Sequence, residues 1–299
     1  MALARFIKAA YGLMHAPLCL AHAVCYIESM DEQSDMPRHT ASSQAGHTSG
    51  LSVSKPVSLL ITCEHGGNRI PPRYRHLFRG HEDLLQTHRG YDPGGLTMAK
   101  DLAETFNATL FVATISRLLI DLNRSIGHPK LYSEATRHAP VGVRREILEA
   151  HYLPYRNDVE AHIANEIAKG RRVIHISSHS FTPVLEGEVR NADIGLLYDP
   201  GRAAEARLCQ GWQAALKASA PELRVRRNYP YTGKMDGFTA HLRRQFAEGT
   251  YVGIELEINQ QHVLRGGPGW QRLRKAIIAA LRASLDDSPP SPRGSGRAS

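Results

Sequence analysis

Five apolar runs rich in β-branched residues recur along the chain: VSLLITC (57–63), TLFVATIS (109–116), RRVIHISS (171–178), DIGLLYD (193–199) and YVGIELEI (251–258). Apolar character that is continuous rather than alternating is what a strand covered on both faces requires. Patterns of helical period lie between the runs. Asp92-Pro93 can open one, as N-cap and first-turn proline, with Leu96, Leu102 and Phe106 on its apolar face. Others span 142–169, 201–218 and 269–285, the last carrying Trp270, Leu273, Ile277, Leu281 and Leu285. Strands alternating with helices give an α/β fold, a mostly parallel central sheet with helices on both faces.

The flanks read differently from the middle. Residues 29–55 and 288–299 are rich in Ser, Gly, Pro and polar side chains and offer little to bury. The expected organisation is therefore an N-terminal extension over 1–55, disordered or mis-started, a catalytic domain over 56–287 and a disordered tail over 288–299. The first 27 residues combine early basic residues, an apolar stretch and an Ala-His-Ala that resembles a signal cleavage site. Two histidines and a proline interrupt that stretch, and translation from Met30 or Met36 is the competing explanation.

Net charge and cysteine usage narrow the function classes. The formal charge is +8, but the basic residues are spread over several helical segments without interleaved aromatics. That pattern describes a solvated basic surface and not a nucleic-acid site. No segment is long and apolar enough for a transmembrane helix, so no membrane partner is expected. Cys19, Cys25, Cys63 and Cys209 show no Cys-x-x-Cys spacing, which fits a reduced, cytoplasmic protein, with export through the signal-like start as the minor alternative.

In sheets of this kind ligands bind outside the carboxyl ends of the strands, and four clusters of reactive residues fall there. In TCEHGG, His65 follows the first run, and the two glycines allow a tight turn that lets the imidazole point into a crevice. In HISSHSF, His175 and His179 share a face of an extended chain, His175 lying deeper and covered. Two histidines from separate strand ends plus one carboxylate would make an open metal site. Glu64 and Asp92 both offer that carboxylate, although Glu64 points away from its neighbour His65 and Asp92 has helix capping as a structural explanation.

In SRLLIDLNRS, Arg117, Asn123 and Arg124 place two guanidiniums and an amide close together, which suits an anionic substrate. An Asp121–Arg124 ion pair in a turn is the structural alternative. In GIELEIN, Glu255 and Glu257 share one face of an apolar strand, and burying them is costly unless they are paired or near a cation. A general base for water suits that position, with an ion pair to Arg243 or Arg244 as the competing explanation.

Taken in order, CEHGGNRIP, DPGGLTMAKDLA, SRLLIDLNRS, SSHSFTP, DIGLLYD and GIELEINQ resemble the N-formylglutamate amidohydrolase family, over about 58–262. The resemblance implies a zinc-dependent amidohydrolase whose α/β fold is related to the zinc carboxypeptidases and aspartoacylases, with one zinc ion per chain. It implies His65 and His179 as metal ligands, and Arg117, Asn123 and Arg124, joined by Arg190, as binders of the substrate carboxylates. Glu257 is implied as the base that activates water, with Glu255 beside it.

The implied substrate is a small anionic N-acyl amino acid, N-formyl-L-glutamate foremost, as in histidine degradation. The chain departs from the aspartoacylase pattern at Asn68, where a His-x-x-Glu pair would place a carboxylate. The third ligand must come from elsewhere, with Asp92 preferred to Glu64. A second departure is His-Gly-Gly where members of the histidine-degradation pathway carry His-Ala-Gly, which leaves room for another N-acyl substrate.

Overall fold

The computed structural model describes residues 56–286. The expectations for the extension over 1–55, for Cys19 and Cys25 and for the tail over 288–299 lie outside the described residues. The first strand, β1 (Val57–Cys63), leads through two 3-10 turns to α1 (Gly95–Phe106) and β2 (Thr109–Val112). A long segment of turns precedes α2 (Val141–Ile147), which continues through a π-helical turn over Leu148–Tyr152 into α3 (Leu153–Ala168). Next come β3 (Arg172–Phe181), a hairpin of β4 (Val184–Leu185) and β5 (Glu188–Val189), and β6 (Ile194–Leu197). The chain then forms α4 (Ala203–Ser219), β7 (Val225–Arg227), α5 (Phe238–Gln245), β8 (Tyr251–Asn259), α6 (Gln260–Arg265) and α7 (Gly267–Asp286).

Six strands make one sheet in the order β2-β1-β3-β8-β6-β7, all neighbours parallel except β6 against β8. All nine residues of β8 are buried, which explains why its run is apolar apart from Glu255, Glu257 and the terminal Asn259. On one face Ile61, Ile174, Ile176 and Leu256 pack against Met98 and Leu102 of α1, Trp212 of α4 and Ile277 of α7. On the other, Leu60, Val173 and Tyr251 meet Val159 and Ile163 of α3 and Phe238 and Leu242 of α5. Each such side chain taken fully out of water contributes about 1.5–3 kcal/mol. The α/β fold with helices on both faces is therefore observed. Among the described residues no helix is long and apolar enough to cross a membrane.

The face toward α3 and α5 also carries polar groups. His175, at 0% exposure, binds the Thr62 hydroxyl through Nε2 at 2.7 Å and the Tyr251 hydroxyl through Nδ1 at 2.8 Å. Gly253 is the register partner of His175, and a Cβ there would lie 2.6 Å from the Tyr251 hydroxyl. A residue without a side chain is what lets the tyrosine fold back over its own strand to reach His175.

The expected helix start at Asp92 is corrected. The helix begins at Gly95, with Gly94 as N-cap at φ 82°, and the Asp92 side chain caps nothing. Asp92 is drawn instead to the two histidines described next.

Candidate active site

Three elements bring His65, Asp92 and His179 together at the carboxyl edge of the sheet. His65 follows β1, and its carbonyl accepts the Asp92 amide at 2.9 Å, which fixes the loop before α1 against the end of β1. His179 projects from β3 on the face shared with His175 and Ser177, as the two-residue repeat of a strand dictates. One ligand atom from each of the three lies within 4.8 Å of the others, and all three residues are buried. Asp92 Oδ2 is 2.9 Å from His179 Nδ1 and 3.4 Å from His65 Nδ1.

Both imidazoles have their other nitrogen held. His65 Nε2 meets Asp121 Oδ1 at 2.7 Å. His179 Nε2 meets Ser177 Oγ at 2.9 Å and Glu64 Oε2 at 3.2 Å. Glu64 in turn accepts from the Ser177 hydroxyl at 2.7 Å and the Tyr155 hydroxyl at 3.3 Å. Carboxylates that hold the proton at Nε2 fix the ring planes, and a cation taking the place of the Nδ1 protons would meet both Nδ1 lone pairs beside Asp92. Arg117 completes the shell, donating from Nη1 to Asp92 Oδ1 at 3.2 Å and from Nη2 to Asp121 Oδ2 at 3.0 Å.

The electrostatics follow from these contacts. Burial alone would raise the carboxyl of Asp92, but His65, His179 and Arg117 overcome it and hold the group far below its ordinary value. Asp121 behaves alike through Arg117 and His65, and Glu64 through His179. Burial would depress His179, yet its bonds to Asp92 and Glu64 raise it well above the ordinary histidine value. A site that holds this much acceptor charge around two imidazoles suits a divalent cation. Two buried imidazoles and one carboxylate, with remaining nitrogens anchored, form a donor set that zinc accepts.

Glu257 stands beside this group in a different condition. It is the register partner of His179 on β8, it is buried, and its Oε2 has no hydrogen-bond partner. Burial, aided by the Asp92 and Glu255 charges and opposed by His179, raises its carboxyl to about 8. A buried carboxyl with a free oxygen and a raised proton affinity, aimed into a cleft, has the properties of a general base or acid. Glu255, two residues earlier, is engaged by the Thr239 hydroxyl. The cleft has a volume of about 580 Å³ and is lined by His65, Asp92, His179, Glu255 and Glu257 together with the cationic residues.

All the residues that the sequence assigns to metal binding, substrate binding or catalysis, except Glu64, line this cleft, but their states differ. Glu64 stands behind His179 as its hydrogen-bond partner and is not one of the three grouped ligand atoms. Arg117 is bound to two carboxylates, and Arg124 donates to the Asp236 carbonyl at 2.5 Å. Asn123 accepts the Phe238 amide at 2.6 Å through Oδ1. The alternative turn pair of Asp121 with Arg124 is not formed, Asp121 pairing with Arg117, and Arg243 pairs with Glu205 and not with Glu255 or Glu257.

The glycines act differently from expectation as well. A Cβ at Gly67 would lie 2.6 Å from the Thr114 carbonyl oxygen, so they admit close backbone approach to 113–114 instead of clearing space around His65. Asp121, Ser177 and Tyr155 are the site residues that sequence reasoning assigned no role here. Ser177 was findable from the two-residue repeat; Tyr155 lies on a helix 91 positions from Glu64 and left no local signal.

Curated protein sequences give no match. A solved structure of a gene product from Agrobacterium tumefaciens is similar at a TM-score of 0.67 and 30% identity, over 78% of this chain and 92% of that one. An N-formylglutamate amidohydrolase from Ralstonia eutropha is similar in fold at a TM-score of 0.54 and 19% identity, over 78% and 94% of the two chains. The family model described as N-formylglutamate amidohydrolase matches residues 57–264. That match spans well over half of the 299 residues, and the chain belongs to the N-formylglutamate amidohydrolase family.

Proposed function

We propose that this protein hydrolyses the amide bond of a small anionic N-acyl amino acid, N-formyl-L-glutamate foremost, with one zinc ion per chain. The observation that carries the reading is the buried group of His65, Asp92 and His179 beside the unpaired carboxyl of Glu257. His65, Asp92 and His179 would hold the ion, which when bound supplies Lewis-acid polarisation of the amide carbonyl and of water.

The chain's own residues account for the rest. Asp121 and Glu64 keep the imidazoles oriented. Glu257 takes a proton from the attacking water at its free Oε2 and delivers it to the departing amine nitrogen. Water thus adds its oxygen to the acyl carbon and its protons end on the products, formate and glutamate for this substrate. Cations lining the cleft, Arg190 and Arg124 among them, offset the substrate's charge.

The test is metal analysis of the purified full chain joined to an amine-release assay on N-formylglutamate and other N-acyl amino acids. Stoichiometric zinc with no amine released from any of them would defeat the reading.

A further inference from the structure

The cations around the cleft differ in whether their charge is already met. Arg117 bridges Asp92 and Asp121, and Arg89 is paired with Glu134. Arg190 has no carboxylate partner among the described residues, yet its position is fixed. Its guanidinium lies over the Tyr231 ring at 4.9 Å from the centroid and over the Phe181 ring at 5.9 Å. Its Nη2 donates to the Tyr231 hydroxyl at 2.9 Å. The backbone is held as well: the Arg190 amide donates to the Pro183 carbonyl at 2.8 Å, closing the base of the β4–β5 hairpin.

Lys130 and Arg137 also line the cleft without a carboxylate, but both are exposed and neither is packed between rings. Arg124 also lacks a carboxylate partner, but its guanidinium is already engaged by the Asp236 carbonyl, so Arg190 is the cation without a carboxylate whose geometry is set by aromatic packing. Stacking on aromatic faces immobilises the planar fork, so less entropy is lost when it grips an anion.

The hydroxyl of Tyr231 accepts from Arg190, and its own proton has no acceptor among the described residues. A guanidinium N–H and a phenol O–H thus stand side by side as two free donors. Tyr231 is 38% exposed and lines the same cleft. The receptor accordingly lines the same cleft as His65, Asp92 and His179 and is open to a ligand.

We propose that Tyr231 is a specificity-determining residue that, with Phe181, positions Arg190 and joins it in a two-donor receptor for one carboxylate of the substrate. This rests on the proposed reading of the cleft as a site for an anionic amino acid derivative. It assigns a role to a tyrosine in the loop between β7 and α5, outside every motif that carried the family resemblance.

The experiment is calorimetric binding of L-glutamate and of its two monoamides, glutamine and isoglutamine, to the zinc-loaded full chain, with N-formylglutamate kinetics alongside. In the wild type one monoamide binds about 10- to 100-fold more weakly than glutamate, the range expected for a hydrogen-bonded charge. Arg190→Gln abolishes that preference. Tyr231→Phe keeps the ring, weakens glutamate roughly tenfold, and raises KM for N-formylglutamate with kcat little changed. Equal binding of glutamate and both monoamides to the wild type overturns the inference, as does an undiminished preference in Arg190→Gln or Tyr231→Phe. If N-formylglutamate is not turned over while the glutamate preference depends on both residues, the proposed reaction fails and the receptor stands.

Discussion

His179 and Glu257 are register partners on neighbouring parallel strands, one a candidate metal ligand and the other a buried carboxyl with an unbonded oxygen. Their separation is fixed by the backbone ladder between β3 and β8 and not by a bond between the side chains. Because strand side chains alternate, a slip of one residue would turn one of the two to the opposite face of the sheet. Burial of all of β8 and of β3 beyond Arg172 pins that register. The sheet core thus performs the positioning that loops alone would do with less precision.

That relationship makes Glu257→Gln the sharpest test of the chemistry. The amide keeps the shape and loses the ability to take a proton, so kcat should fall about 10²- to 10⁴-fold. Zinc content should remain near that of the wild type, since Glu257 is not among the three grouped residues. Kinetics and metal analysis on the same preparation check both halves, and an unchanged kcat would remove Glu257 from the mechanism.

The same carboxyl predicts a pH dependence of stability in metal-free protein. Its affinity for the proton is raised from 4.5 to about 8, chiefly by burial. Between these values the folded chain holds a proton that the unfolded chain has released. Stability therefore falls as pH rises through this window, by up to about 1.4 kcal/mol per pH unit from this group. Glu257→Gln cannot lose a proton, so its stability relative to wild type should climb from pH 5 to pH 8. Denaturant melts of both metal-free proteins at the two pH values measure the difference, and parallel behaviour would contradict the assignment.

What the sequence could reveal follows the range of each signal. Four of the five strands were legible because burial writes a continuous apolar run, and the fifth, β2, wrote one although it is a half-buried edge strand; His65, His179 and Glu257 were legible because such runs end beside them. β7, with three residues, and α5, with eight, are too short to write a period. The capping reading of Asp92 failed because local chemistry for a helix start and for a metal ligand is the same until the partner histidine is known. Glu64 is the reverse case: adjacency to His65 is visible, while its engagement with His179 on β3 is purely tertiary. Tyr231 had no local pattern to betray it.

Asp121 and Glu64 should act on metal affinity without ligating. Each takes the Nε2 of a candidate ligand histidine. Asp121→Asn and Glu64→Gln are each expected to weaken zinc binding about 10- to 100-fold, as loss of such supporting carboxylates does. Competition with a chromophoric chelator gives the affinity directly. Zinc binding as tight as wild type in both variants would mean that the imidazoles are oriented by packing alone.

Tyr251→Phe separates the structural end of the polar face from its functional end. The lost hydroxyl bonds only His175, at 2.8 Å, four residues down β3 from His179. His175 keeps its bond to Thr62, so one ring nitrogen remains satisfied. The cost should be about 1–3 kcal/mol, the penalty for leaving a buried polar atom unpaired. For a domain of this size that corresponds to a fall in Tm of roughly 2–4 °C per kcal/mol. Zinc affinity and kcat should be little altered, because no atom lost here touches His65, Asp92, His179 or Glu257. Calorimetric melting with a parallel zinc titration decides it: a large loss of zinc affinity at unchanged Tm would show that the bonded chain through His175 reaches the candidate group of His65, Asp92 and His179.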